Sequence, residues 1–236
     1  MIFPSAKCIH IQRVEQLPST MGRPPRAGRH WAGITHRALA NMVRDRIRAA
    51  GYATIRDDYF LTPNLAGMAC YFITHRGTGF NCGFSLTHAN DRRVSMQFHA
   101  GGTVGGVGFR DGFCAGFCVG PCGPGTMAHT ASADPVAAID AVLTEMPHNA
   151  HLFAELFGKM QDQRVGPAEA AHRVAEALVC GVVPWQRAEA AVVAALEATD
   201  RLALHGAIAR VVGVAPPMAQ PNLLHNLMGL ICQGSE

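Results

Sequence analysis

Two hydrophobic rhythms divide the chain. From Tyr52 to Val107 apolar and polar residues alternate with a period of two, and from Asp134 onward apolar residues return every three or four positions. The first rhythm belongs to half-buried strands and the second to amphipathic helices. Alternation predicts strands near 52–60, 67–75, 80–88, 92–99 and 103–109. The turn signals between them are Pro63-Asn64, Arg76 to Gly79 and Asn90-Asp91. Within the fourth run Val94, Met96 and Phe98 share one side, and Arg93, Ser95, Gln97 and His99 share the other. Connections this short imply an antiparallel meander with one solvated face, on which Thr74, Ser85, Thr87, Arg93, Ser95, Gln97 and His99 would stand.

Outside the sheet the pattern predicts an α+β protein. Thr35 reads as the N-cap of a helix carrying Leu39, Met42, Val43 and Ile47 and ended by Gly51. Residues 108–131, rich in glycine, read as one long loop. Helices follow near 135–146, 149–163, 167–180, 185–199, 200–212 and 222–232, with Asp134 as an N-cap ahead of Pro135. The organisation expected is a basic arm at 1–30, a sheet domain at 31–131, and a helical region at 132–236 that packs on it or forms a subdomain.

Charge sharpens this division. Residues 1–56 hold ten Lys and Arg against Glu15 and Asp45, a net of +8, whereas the remaining 180 residues total −5. A cationic front on an acidic body points to an anionic partner. Arg23, Arg26 and Arg29 lie in an arm broken by Pro24 and Pro25, Arg37, Arg44 and Arg48 share one side of the first helix, and Arg92-Arg93 follow the turn. Arginine outnumbers lysine 18 to 2, which suits bidentate phosphate recognition, although GC-rich coding produces the same bias. No run of about 18 uncharged apolar residues predicts a membrane span. The first residues lack the apolar core of a signal peptide, so the eight cysteines are expected as reduced thiols of a cytoplasmic protein.

Chemistry is less legible. Cys114, Cys118 and Cys122 with His129 could close a tetrahedral zinc site, although their spacing is looser than the usual two-residue knuckles. His75, His88 and His99 with Asp57, Asp58 and Asp91 are the groups available to a hydrolytic site, but two-metal chemistry needs more clustered carboxylates. Serine-hydrolase, zincin and phosphate-loop motifs are missing. The aromatics Tyr52, Tyr59, Phe60, Tyr71 and Phe72 could stack on bases only if exposed, and a sheet of this size places most of them in its core.

The order of elements from about residue 31 to 150 resembles a family of phage, prophage and plasmid proteins of unknown function. That family has a polar turn containing His-Asp-Gly-Ser after a leucine, then a second turn near Cys-x-Asn-Gly, then a histidine before a helix. Here Leu86 opens the turn, His88 and Asp91 stand at its His and Asp, Phe109 to Gly112 resembles the second turn, and His129 precedes the helix. Ala89-Asn90 separates the turn's pair, Arg92 replaces its glycine, and Phe109 replaces the cysteine. The resemblance implies a mobile-element origin rather than a reaction.

The function expected is therefore non-enzymatic, with no cofactor. The arginine-rich face would bind nucleic acid or a host nucleic-acid-handling complex, as a counter-defence protein or a single-stranded-DNA binder. His88, Asn90 and Asp91 form the turn beside it. A zinc enzyme built on the cysteine loop, and a protein that oligomerises through its Ala-rich helices, are the alternatives.

Overall fold

The computed structural model describes residues 8–20, 33–75, 80–91, 95–104, 114–115, 125–127, 134–212 and 220–232. Its centre is an antiparallel sheet of β1 (Ile9–Ile11), β2 (Ala53–Leu61), β3 (Gly67–His75), β4 (Phe80–Ala89), β5 (Met96–Val104) and β6 (Cys114–Ala115), in that spatial order. The seventh strand, β7 (Gly125–Met127), also pairs with β5. The helices are α1 (His36–Ala49), α2 (Pro135–Asp162), α3 (Pro167–Val179), α4 (Ala188–Leu196), α5 (Arg201–Val212) and α6 (Gln220–Cys232). The molecule is thus α+β, and no helix among the described residues is long and apolar enough to cross a membrane.

Pleat parity assigns the faces of the sheet. Directly opposed residues share a face, so the row Tyr59, Cys70, Leu86, Phe98 and the row Asp57, Phe72, Phe84 lie on one side. Phe84 stands between Phe72 and Phe98 with ring centroids 6.4 and 6.1 Å away. Against this face pack Leu39, Val43 and Ile47 of α1 and Ile139, Val142, Leu143 and Met146 of α2. Thr35 starts α1 by accepting a hydrogen bond from the Ala38 amide. Gly51, at φ +82°, ends it: the amides of Gly51 and Tyr52 turn back to the carbonyls of Arg48 and Ile47.

The second face is also buried over β3 and β4. Phe60, Ala69, Tyr71, Ile73 and Ala89 cluster there, and Ser85 and Thr87 have no solvent exposure. Thr74, on the α1 face, is equally buried. The expectation of a solvated polar face carrying Thr74, Ser85 and Thr87 is therefore overturned: these hydroxyls sit inside.

Three boundaries also differ from the pattern. No break separates the predicted strands 92–99 and 103–109: residues 96–104 form one strand, β5, because Gly101 and Gly102 pair with Gly83 and Cys82 instead of turning, while 92–94 and 105–109 lie outside the described residues. The presumed loop at 108–131 contains β6 and β7. The predicted helices 135–146 and 149–163 are one helix, α2, passing through the exposed Pro147. Its 28 residues span about 42 Å, and this length joins two cores. Its first half belongs to the sheet core, while Phe157 and Met160 near its end pack with Val174, Leu178, Leu204, Ile208, Leu227 and Ile231 of the other helices.

Candidate functional site

Helix α1 presents its arginines in different environments. Arg37 folds back on the chain: its guanidinium donates to the carbonyls of Leu17, at 2.9 Å, and Glu15. Arg46 makes a two-pronged contact with Asp140 of α2, at 2.6 Å through Nε and 2.5 Å through the terminal nitrogen. These two residues tie α1 to the N-terminal segment and to α2. Arg44 stands 3.5 Å from Asp57 and 4.0 Å from Glu15 and keeps about a third of its side chain in solvent. Arg48 is 78% exposed, with Asp45 one turn away at 3.8 Å. Exposed pairs of that length contribute little, so the Arg48 charge remains available to a partner.

Arg44 and Arg48 line one shallow depression of about 560 Å³, together with Gly51, Tyr52, Ala53 and Thr54. The Gly51 turn creates it by bringing the chain from the end of α1 straight into β2. Of the sequence-predicted arginines, the structure brings Arg44 and Arg48 together and commits Arg37 elsewhere. Arg23, Arg26, Arg29, Arg92 and Arg93 lie outside the described residues. Tyr52, one of the aromatics the sequence offered for stacking, lines it, and so does Thr54, which the sequence reading of the binding face did not include.

The histidine turn has a different surrounding. His88, at the end of β4, is fully buried, and its Nε2 lies 2.8 Å from Nδ1 of His36 at the first turn of α1. The other nitrogen of His36 lies 2.9 Å from the Leu65 carbonyl in the β2–β3 turn. A carbonyl only accepts, so His36 carries its proton on Nε2. Burial holds the His36 pKa below the ordinary imidazole value, opposed by that carbonyl bond. Neutral His36 then accepts through Nδ1, and His88 must donate from Nε2. Asn90, also buried, donates from its amide to the Ile34 carbonyl at 3.0 Å, and its backbone amide bonds Ala66 at 2.8 Å. His88 and Asn90 thus bind other parts of the chain, fastening the β4–β5 turn to α1 and to the β2–β3 turn. Asp91 is half-buried beside them.

Sequence reasoning did not find His36, whose partner is 52 positions away. The clamp holds Leu65 at φ +56°, with 45% of its surface exposed. A left-handed conformation strains a leucine by about 1–2 kcal/mol, whereas asparagine tolerates it. Leu65→Asn should therefore raise the melting temperature by about 2 °C, read by calorimetry.

A second histidine lies across the sheet. His10 bonds Asp58 at 2.8 Å and stacks on Phe60 at 4.8 Å, and Arg56 reaches the other Asp58 oxygen at 2.6 Å. Of the zinc quartet, Cys114 falls in β6 opposite Gly102, whereas Cys118, Cys122 and His129 lie outside the described residues. Comparison of the chain with family models, with curated proteins and with solved structures finds no match.

Proposed function

We propose that the protein is a non-enzymatic binding protein that engages an anionic macromolecule through the Arg44–Arg48 edge. The observation that carries this reading is the pairing of those guanidiniums around one depression at the head of β2. The third member of the arginine ridge, Arg37, does not contribute equally, because it serves an internal contact, as does the neighbouring Arg46. The uneven charge of the sequence, +8 in residues 1–56 against −5 beyond, supports the same polarity. It adds long-range attraction that salt must weaken. In keeping with the resemblance to phage and plasmid proteins, we place the partner among host nucleic-acid-handling complexes.

The test uses two labelled probes, an acidic peptide and a single-stranded oligonucleotide, titrated with the protein by fluorescence anisotropy over a salt series. Wild type should bind at least one of them, with affinity falling as salt rises. R44E/R48E should weaken that binding by about tenfold or more, an effect of about 1.4 kcal/mol, with its circular dichroism unchanged. Failure of both probes to bind, or equal binding by the double variant, would remove the reading.

A further inference from the structure

Three sulfur atoms converge where α6 meets the end of α2. Met228 and Cys232 stand one turn apart on α6, so their side chains share a side, and Met160 reaches them from α2. The Cys232 sulfur lies 3.6 Å from that of Met228 and 4.0 Å from that of Met160. A thiol carries one proton, so at most one of these contacts is a hydrogen bond. The other sets two sulfurs together with no proton between them.

The spacing suits an ion held by all three. A metal–sulfur bond is about 2.3 Å long, so three sulfurs in a trigonal plane around one ion stand about 4.0 Å apart. The donor set names the ion. Zinc takes thiolate, imidazole and carboxylate, whereas thioether beside thiolate is the soft set that selects monovalent copper. Met160 and Met228 are buried and Cys232 is half-buried, which closes the set toward the protein and leaves entry beside the thiol. All three belong to the helical core with Phe157, Leu227 and Ile231. One thiolate cancels one positive charge, so the filled site is neutral in this apolar surround.

We infer that Met160, Met228 and Cys232 form a binding site for monovalent copper. The inference goes beyond the anionic-partner reading and stands apart from it, and copper there would pin α6 to the end of α2. Burial raises the Cys232 thiol pKa, opposed by the charge of Arg201, which is itself paired with Glu169 at 2.9 Å. The thiol therefore keeps its proton at neutral pH and gives it to solvent when the metal binds.

The experiment titrates the full, reduced chain with Cu(I) in the absence of oxygen, against bicinchoninate as a competing chelator. Wild type should retain one more equivalent than Cys232→Ser. The other thiols, Cys114, Cys118 and Cys122 among them, are common to both chains. M160L/M228L keeps the cysteine and nearly the same volume. Loss of an outer partner alone weakens metal binding by about 10–100-fold, so loss of two ligands should surrender that equivalent to the chelator.

A second readout follows isotope-labelled methionine methyls by NMR in wild type. Ag(I), a redox-inert stand-in for Cu(I), is added up to one equivalent for each of the eight cysteines. The signals missing from Met160→Leu and from Met228→Leu should shift, and Cys232→Ser should hold them still. Equal copper retention by wild type and Cys232→Ser would overturn the site. Full retention by M160L/M228L, or methyl signals of Met160 and Met228 that do not move, would also overturn it, leaving a lone thiol. Circular dichroism checks the fold of each variant, and should M160L/M228L be unfolded, the methyl shifts of wild type decide.

Discussion

His88→Ala should lower the free energy of unfolding by about 3 kcal/mol, measured by urea denaturation at pH 7. His88 is fully buried and bonds His36 at 2.8 Å. Truncating it strands the Nδ1 acceptor of His36 in a dry site, which costs about 1–3 kcal/mol. The vanished ring leaves a void of roughly 60 Å³, adding about 1–2 kcal/mol at the usual cavity cost. The exposed His172 of α3, bonded only along its own helix to Glu176 at 3.5 Å, is the control. His172→Ala should change stability by less than about 0.5 kcal/mol.

The pair can be separated from general burial by a double-mutant cycle. His36→Leu alone strands a donor of His88, and His88→Leu alone strands an acceptor of His36. The double variant strands neither end of that bond. Its cost should therefore fall short of the summed single costs by about 1–2 kcal/mol. Additive costs would show that the two rings contribute as independent core residues, and the clamp would lose its meaning as a unit.

The sheet was readable because its information is local. Alternation located β3 and β4 closely, and the turn residues around Pro63-Asn64 separated β2 from β3. The reading failed where tertiary pairing overrides a local signal. Gly101-Gly102 looks like a break, but opposite Gly83 and Cys82 it continues the ladder. Pro147 looks like a helix end, yet α2 continues because apolar residues on both sides of it are claimed by two cores, Met146 by one and Phe157 by the other. Polar alternation suggested a wet face, but parity tells only which residues share a side. It says nothing of whether that side is covered, as Ser85 and Thr87 show.

The candidate site was less readable for the same physical reason. A sequence shows that an arginine is present, not what it meets. Arg37, Arg44 and Arg48 read as equivalent members of one ridge. The fold gives Arg37 two carbonyls, Arg44 a shared carboxylate and Arg48 open solvent. Likewise His88 and Asn90 read as an inviting turn because polar groups in turns commonly serve ligands. Their partners, His36 and Ile34, are brought to them only when α1 docks on the sheet.

Mild acid should destabilise the protein by about 2 kcal/mol between pH 7 and pH 5 through His205 alone. This histidine lies in α5 with no exposure, and burial lowers its pKa from 6.5 to about 4. The sign follows from proton binding. Below pH 6.5 the unfolded imidazole takes up a proton that the folded one refuses until about pH 4, so unfolding becomes proton-driven and stability falls as pH falls. Across the whole window the loss reaches about 3 kcal/mol, from 1.36 kcal/mol per pKa unit, and below pH 4 it stops growing. His36, lowered by burial, acts in the same direction. His205→Gln carries no titrating ring, so urea midpoints taken from pH 7 to pH 5 should decline less steeply in that variant. The difference between the two slopes, rather than either slope alone, isolates His205 from the carboxylates that titrate lower. Parallel slopes would mean that the helical core admits the charged imidazole, and that the packing of Leu204, Ile208 and Val212 around α5 opens readily to water.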